Sequence, residues 1–309
     1  MKLKVHVLAA LTIGATIAGP ANAIVIDNGI ASGTLGSWST DVNGGGQVGN
    51  ANITALRADT NALTSTQVVY DYFTYLKIGN TGLQLPTSGA SLVGSNVQSS
   101  GIITGSNGNT INWSVVSSIA PGSSILTNTF SFSSDSALGN LGLSQYLDED
   151  VVGPGDDVFF TRGNSVSGDL QLFTIDNAQG FGVSHSGAFS SAQGLVNSSF
   201  TGWAVDNYND MKPRLAAGTQ NVSINGLFEA GVNPTTNPFI GAAYGPVDIV
   251  SVLSWTVNPD ATNATIVTTL GGVPDARQID NPTNNVPEAS TLALLGLGLA
   301  GLGYRRRIA

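Results

Sequence analysis

Hydrophobic runs of strand length, cut apart by glycine- and asparagine-rich turns, are the feature that most constrains this chain. Across residues 66–78, Val68, Tyr70, Tyr72, Leu76 and Ile78 fall on one face, with Asp71 and Lys77 on the other. That period of two marks a half-buried strand. Ile111, Trp113 and Val115 alternate in the same way with Asn112 and Ser114. Residues 125–132, 158–161, 170–175, 222–227, 249–257 and 264–270 read as further strands, the last two joined by the loop 258–263. Asn43-Gly44-Gly45-Gly46, Asn107-Gly108-Asn109, Pro121-Gly122, Gly153-Pro154-Gly155 and Asn225-Gly226 supply turns between them.

Amphipathic helices are scarce. The best helical spacing runs over residues 50–63 through Ile53, Leu56 and Leu63, and a short helix is expected around 204–211. Many strands with few crossover helices imply antiparallel sheets, so the expected fold is an all-β antiparallel sandwich, jelly-roll-like, with few short helices. No linker interrupts the middle of the chain, which favours one body over residues 24–274. Residues 275–285, rich in Asn and Pro, read as a flexible stalk.

The two ends carry different information. Lys2 and Lys4 precede an apolar run over residues 7–18, and Ala21-Asn22-Ala23 is a small-x-small site. This order is that of a secretory signal peptide over residues 1–23, cleaved by signal peptidase after Ala23. At the other end, Val286-Pro287-Glu288-Ala289-Ser290-Thr291 is followed by a Gly/Leu run over 292–304 and then Arg305-Arg306-Arg307. As a helix the run spans about 20 Å at about 1.5 Å per residue. It approaches the roughly 30 Å hydrocarbon core once it extends through Ala289 and the arginines snorkel. The arginines are expected on the cytoplasmic side.

These 23 or so C-terminal residues resemble the PEP-CTERM sorting signal of Gram-negative bacteria. The Pro287-Glu288 core matches, while Val286 and Ala289 stand where the family often has proline. The resemblance implies processing by an exosortase-type membrane peptidase, a transient membrane anchor over residues 286–309, and delivery to the cell surface or to an extracellular polysaccharide matrix. It implies nothing about the body.

Two motif matches lead nowhere. Gly296 to Gly301 fits a G-x-G-x-x-G string, but inside the hydrophobic tail and without a preceding strand. Leu85-Pro86-Thr87-Ser88-Gly89 resembles a Gram-positive wall-sorting motif with no hydrophobic tail behind it, and reads as a turn.

Composition limits the chemistry. The chain has 39 glycines, 10% charged residues and a net charge of −9. Losing Lys2 and Lys4 with the leader brings this to −11, and losing the three terminal arginines to −14. Nucleic acid and anionic membrane surfaces are therefore poor partners, whereas divalent cations and neutral glycans are compatible. There is no cysteine, so thiolate nucleophiles, thiolate zinc sites and iron–sulfur clusters are excluded. After leader removal the one remaining histidine is His185. Adjacent strand residues point to opposite faces, so Ser184-His185-Ser186 is no ready nucleophile–base pair and reads as a strand or surface segment. No Gly-x-Ser-x-Gly elbow occurs. A glycosidase or lyase, which needs two carboxylates at a suitable separation, remains the enzymatic alternative.

The densest acidic stretch holds Asp148, Glu149, Asp150, Asp156 and Asp157 around Gly153-Pro154-Gly155. Hard cations need six to eight oxygens. An EF-hand is ruled out because Val152 and Phe159 fall at ligand positions. Two readings stay open: a calcium site using Asp148, Asp150, Asp156 and Asp157, or a solvated loop that promotes solubility. Asp206, Asn207, Asn209 and Asp210 form a weaker oxygen-rich group. Of the four tryptophans, Trp113 and Trp255 read as core. Trp203, flanked by small residues, is the best candidate for an exposed face that stacks on a sugar. The overall expectation is a non-enzymatic surface or matrix protein with a structural or binding role, the alternative being a carbohydrate-binding or adhesive module.

Overall fold

The computed structural model describes residues 23–57, 59–149, 151, 157–163, 168–176, 179–218 and 249–273. Within these residues seventeen strands run in chain order: β1 (Ile24–Asp27), β2 (Trp38–Val42), β3 (Val48–Leu56), β4 (Leu63–Val69), β5 (Asp71–Ile78), β6 (Thr81–Gln84), β7 (Ser91–Val93), β8 (Asn96–Thr104), β9 (Thr110–Ile119), β10 (Ile125–Ser133), β11 (Leu141–Asp148), β12 (Asp157–Arg162), β13 (Gln171–Asp176), β14 (Gly182–Gly187), β15 (Ser198–Asn207), β16 (Ile249–Val257) and β17 (Asn263–Val273). Among the described residues the one α-helix, α1, spans Tyr208–Ala216.

The strands form two antiparallel sheets. The first has the order β1-β2-β3-β5-β11-β16-β15, with β4 beside β3 and β6 beside β5. The second has the order β12-β13-β14-β17-β10-β9-β8-β7. Their facing sides close over two apolar clusters, one centred on Leu76, Phe130, Leu143 and Trp255, the other on Trp38, Ile53, Leu147 and Leu270. Burying a side chain such as Phe130 stabilises the fold by about 1.5–3 kcal/mol. Trp255 satisfies its indole N–H by donating to the Ala188 carbonyl at 2.8 Å.

A polar belt separates the two clusters. On five strands the inward-facing positions run apolar, polar, apolar: Leu76-Thr74-Tyr72, Leu143-Gln145-Leu147, Val115-Ser117-Ile119, Phe130-Asn128-Leu126 and Ile266-Thr268-Leu270. Into this belt the turn Gly44–Gly46 inserts its backbone. Ser99 Oγ accepts from Gly45 N at 2.9 Å, Thr74 Oγ1 donates to the Gly45 carbonyl at 2.8 Å, and Asn128 Nδ2 donates to the Gly46 carbonyl at 2.8 Å. Gly45 and Gly46 have φ of 67° and 68°. A Cβ at Gly45 would lie 2.7 Å from Leu85 Cβ, and one at Gly46 2.9 Å from Val115 Cγ1, so only glycine fits. The sequence marks this stretch as a turn; it is a turn inside the protein.

The outer side of the first sheet is covered by α1. Met211 and Leu215, one helical turn apart, bury against Tyr75, Tyr146, Val250 and Val252. The helix ends where Gly218, at φ 68°, donates its N–H to the Leu215 carbonyl.

Several expectations need correction. The described residues of 50–63 are not helical: they form most of β3, a turn and the first residue of β4. Asn50, Asn52, Ile53 and Thr54 are weak helix formers, and β3 gains ladders on both flanks from β2 and β4. The expected 66–78 strand breaks at Tyr70, which is 53% exposed rather than inward-facing. The expected 204–211 helix begins only at Tyr208, because β15 runs on to Asn207. The strand expected at 222–227, the stalk over 275–285, the leader through Asn22 and the C-terminal hydrophobic helix lie outside the described residues.

Candidate functional site

The acidic stretch is divided by the two-residue period of its strand. Asp148 shares a side of β11 with Tyr146, whose hydroxyl donates to Asp148 Oδ2 at 3.2 Å, and Tyr146 packs under α1. Glu149 points instead into the sandwich, where its Oε1 accepts from Ser251 Oγ at 2.9 Å. Asp157, which opens β12, pairs in register with Asp176. Asp148, Glu149 and Asp157 are 2%, 1% and 0% exposed, so these three carboxylates are interior and not part of a solvated surface. Among the described residues, no three of the His, Asp and Glu side chains gather as a metal-binding group. Asp150 and Asp156 lie outside the described residues, as do the side chains of Asp206, Asn207, Asn209 and Asp210.

Burial sets the charge state of this interior group. It pushes the Glu149 carboxyl well above the usual carboxylate range, aided by the neighbouring Asp148 and Asp157 and opposed by the Ser251 hydrogen bond. Glu149 Oε2 has no hydrogen-bond partner among the described residues. His185, on β14, faces inward, with Nδ1 3.3 Å from Ser251 Oγ and its ring edge-on to Tyr72 at 5.5 Å. Burial lowers its pKa to about 3, so it is neutral. Glu149, Ser251 and His185 thus form a buried chain with the serine in the middle. A serine activated for attack needs the histidine between it and the acid and an open approach. This chain has neither; His185 is buried.

Trp203 is also corrected. It is 8% exposed and packs 6.0 Å, centroid to centroid, from Phe159 in the apolar core. Its neighbours Gly202 and Ala204 are small, but β15 lies against β16 throughout, and Trp203 sits opposite Leu253. Flanking small residues in the sequence could not reveal which face of the strand was covered.

The outward face of the second sheet has a different character. The six neighbouring strands β14, β17, β10, β9, β8 and β7 contain no Asp, Glu, Lys or Arg. Their outward positions hold mainly Ser, Thr, Asn and Gln. Adjacent strands bring these side chains into rows: Ser100 faces Ser114, Ser114 faces Ser131, and Ser131 faces Thr265. A parallel row runs Ser118, Thr127, Thr269 and Ser186. Row members are spaced by about 4.8 Å across strands, and these two rows lie about 13 Å apart along them, with the row Gln98, Val116, Thr129 and Val267 between. Beneath, Trp113 fills the space over Gly101, where a Cβ would meet the indole at 2.7 Å, so the two strands stay close. Ser100, Ile102, Asn112, Ser114, Ser131 and Ser133 border a shallow depression of about 490 Å³.

Comparison with known proteins bears on the C-terminus. Residues 285–307 match the profile of the PEP-CTERM protein-sorting motif, so the chain carries this signal, covering Val286 to Thr291 and Arg305 to Arg307. Among the described residues no helix is long and apolar enough to cross a membrane; the hydrophobic run of the signal lies beyond them. No curated protein matches the chain. Among solved structures it is similar to a "Putative kojibiose phosphorylase from human microbiome", with 12% identity and a TM-score of 0.44 over 87% of this chain. The chain spans 33% of that protein's length, and a likeness this loose carries no functional inference.

Proposed function

We propose that this is an exported, exosortase-processed protein of the cell surface or exopolysaccharide matrix, whose β-sandwich body acts by binding and not by catalysis. The observation that carries the export and processing is the sorting motif at residues 285–307, and the buried Glu149, Ser251 and His185 chain, which has its serine in the middle, supports a body that binds and does not cut. The signal peptide brings the body across the inner membrane. The C-terminal helix holds it there, with Arg305, Arg306 and Arg307 on the cytoplasmic side, until the peptidase acts near Pro287-Glu288.

Cell fractionation of the full chain in a producing bacterium, carrying an epitope tag in the exposed turn at Gly89, tests the proposal. The wild type is expected as a shortened, surface or extracellular species. The pair Pro287→Ala with Glu288→Ala is expected to accumulate at full length in the membrane fraction. Equal processing of the two, or retention of the wild type in the cytoplasm, would overturn it.

A further inference from the structure

We propose that the charge-free part of the second sheet's outward face, formed by β14, β17, β10, β9, β8 and β7, is the surface through which this protein contacts polysaccharide, and that its ligand is a neutral, extended glycan chain laid across these strands. The inference rests on the matrix reading above and identifies the surface and the ligand chemistry.

The distribution of charge comes first. The chain has 20 acidic residues, yet six adjacent strands of one sheet have none, and no Lys or Arg either. The other described acids occupy turns and loops, α1, the first sheet and its immediate end, and the strands β12 and β13 at the edge of the second sheet. A face kept merely soluble is served by scattered carboxylates; a face that must be stripped of water on contact is not, because an unpaired charge is costly to desolvate.

The hydroxyls come second. Ser100, Ser114, Ser131, Thr127 and Thr129 make no side-chain hydrogen bond to the rest of the described protein. Each therefore offers one donor and two acceptor lone pairs to a ligand. Sugar hydroxyls have the same dual capacity, so a row of serines can pair with a row of sugars whichever way each proton points. Ile102, 70% exposed at the end of this array, adds an apolar contact for the C–H face of a sugar ring.

Shape comes third. The depression is shallow and spans three strands, β8, β9 and β10. It suits a chain lying flat over several rows better than a single sugar held in a pocket. Each sugar contributes little, and retention comes from repetition along the polymer. An acidic polysaccharide finds no cation on these six strands, Arg162 lying at the far edge beside Ser186, and meets a net negative protein.

The test uses the full-length chain in mild detergent, with microcrystalline cellulose as the neutral probe and alginate as the acidic one. The wild type is expected to sediment with cellulose and not with alginate. Ser114→Glu with Ser131→Glu should weaken cellulose binding at least tenfold, with a lower melting temperature because the two carboxylates face each other across β9 and β10, while Thr64→Glu on the first sheet leaves binding unchanged. Ser100→Ala, Ser114→Ala and Ser131→Ala together remove the hydroxyls without adding charge, and should weaken binding even if the glutamate pair does not fold. Cellulose binding unaffected by the alanine triple overturns the assignment of the surface but leaves the matrix reading intact. Preference for alginate overturns the neutral ligand. Binding to neither polymer overturns the glycan-contact reading itself.

Discussion

The ammonium of Lys212 lies 3.0 Å from Asp71 Oδ2, and this pair ties α1 to the first residue of β5. The same ammonium sits 4.8 Å from the Phe73 ring centroid and 5.5 Å from that of Tyr146. Both partners of the ion pair are partly screened by protein, so the contact is stronger than a fully exposed one. Lys212→Met should cost about 1–2 kcal/mol, the sum of a modest ion pair and a cation–π contact. Urea unfolding of Lys212→Met, Asp71→Asn and the double variant checks this. The double variant should lose less than the two singles combined; strict additivity would mean the two groups do not interact.

Glu149→Gln should stabilise the protein, and more so as pH rises. The folded-state pKa of Glu149 is raised, so folding holds its proton where the unfolded chain releases it. The wild type therefore loses stability as pH climbs from the unfolded value, about 4.3, toward the raised folded value. Glutamine has no such ionisation. The melting-temperature difference between variant and wild type should widen from pH 4 to pH 7; a difference that stays constant would show that Glu149 does not titrate in the core.

The sign for His185 is opposite. Its folded pKa is depressed to about 3 while the unfolded chain binds a proton near 6.5, so His185 destabilises the fold increasingly as pH falls through that interval. In NMR spectra of the protein, the His185 ring resonances should stay fixed from pH 8 down to the onset of acid unfolding. A titration midpoint near 6.5 in the folded protein would contradict its burial.

At Gly45, alanine should cost about 2–5 kcal/mol, combining a left-handed φ with overpacking against Leu85. The change is readable as a lower urea midpoint. Gly89 also has a positive φ, but nothing lies within 4 Å of where its Cβ would stand. Alanine there should lose only the backbone part, about 1–2 kcal/mol. Similar losses at both sites would mean that the turn is not inserted between the sheets.

Trp203→Ala should cost about 3–5 kcal/mol of stability as a large-to-small core change. Under conditions where the variant remains folded, its binding to cellulose should match the wild type. Loss of binding with retained stability would return Trp203 to the surface.

Much of the fold was legible because inward and outward residues alternate. Ile111, Trp113 and Val115 face in while Asn112 and Ser114 face out, as period two requires. The expected strand over residues 249–257 coincides with β16. What escaped the sequence were features decided by other strands. Ile53 and Leu56 have helical spacing, and only the pairing of β3 with β2 and β4 overrides it. Asp148 and Glu149 look alike in the sequence, and the layer covering each side of β11 gives them different surroundings. Trp203 among small residues looked accessible for the same reason. The charge-free face was present in the sequence as long stretches without Asp, Glu, Lys or Arg, but those stretches become one surface only once β14 and β17 are known to lie beside β10.

The polar belt through the core also acts as a ruler. Apolar side chains tolerate sliding past one another, since one methyl packs much like the next. Thr74, Gln145 and Asn128 do not, because each has a partner at a fixed height. If one sheet slid by two residues over the other, leucines would oppose the carbonyls of Gly45 and Gly46, and several buried dipoles would lose their partners at once. The alignment of the two sheets is therefore discrete, and the inserted glycine turn is the notch that sets it.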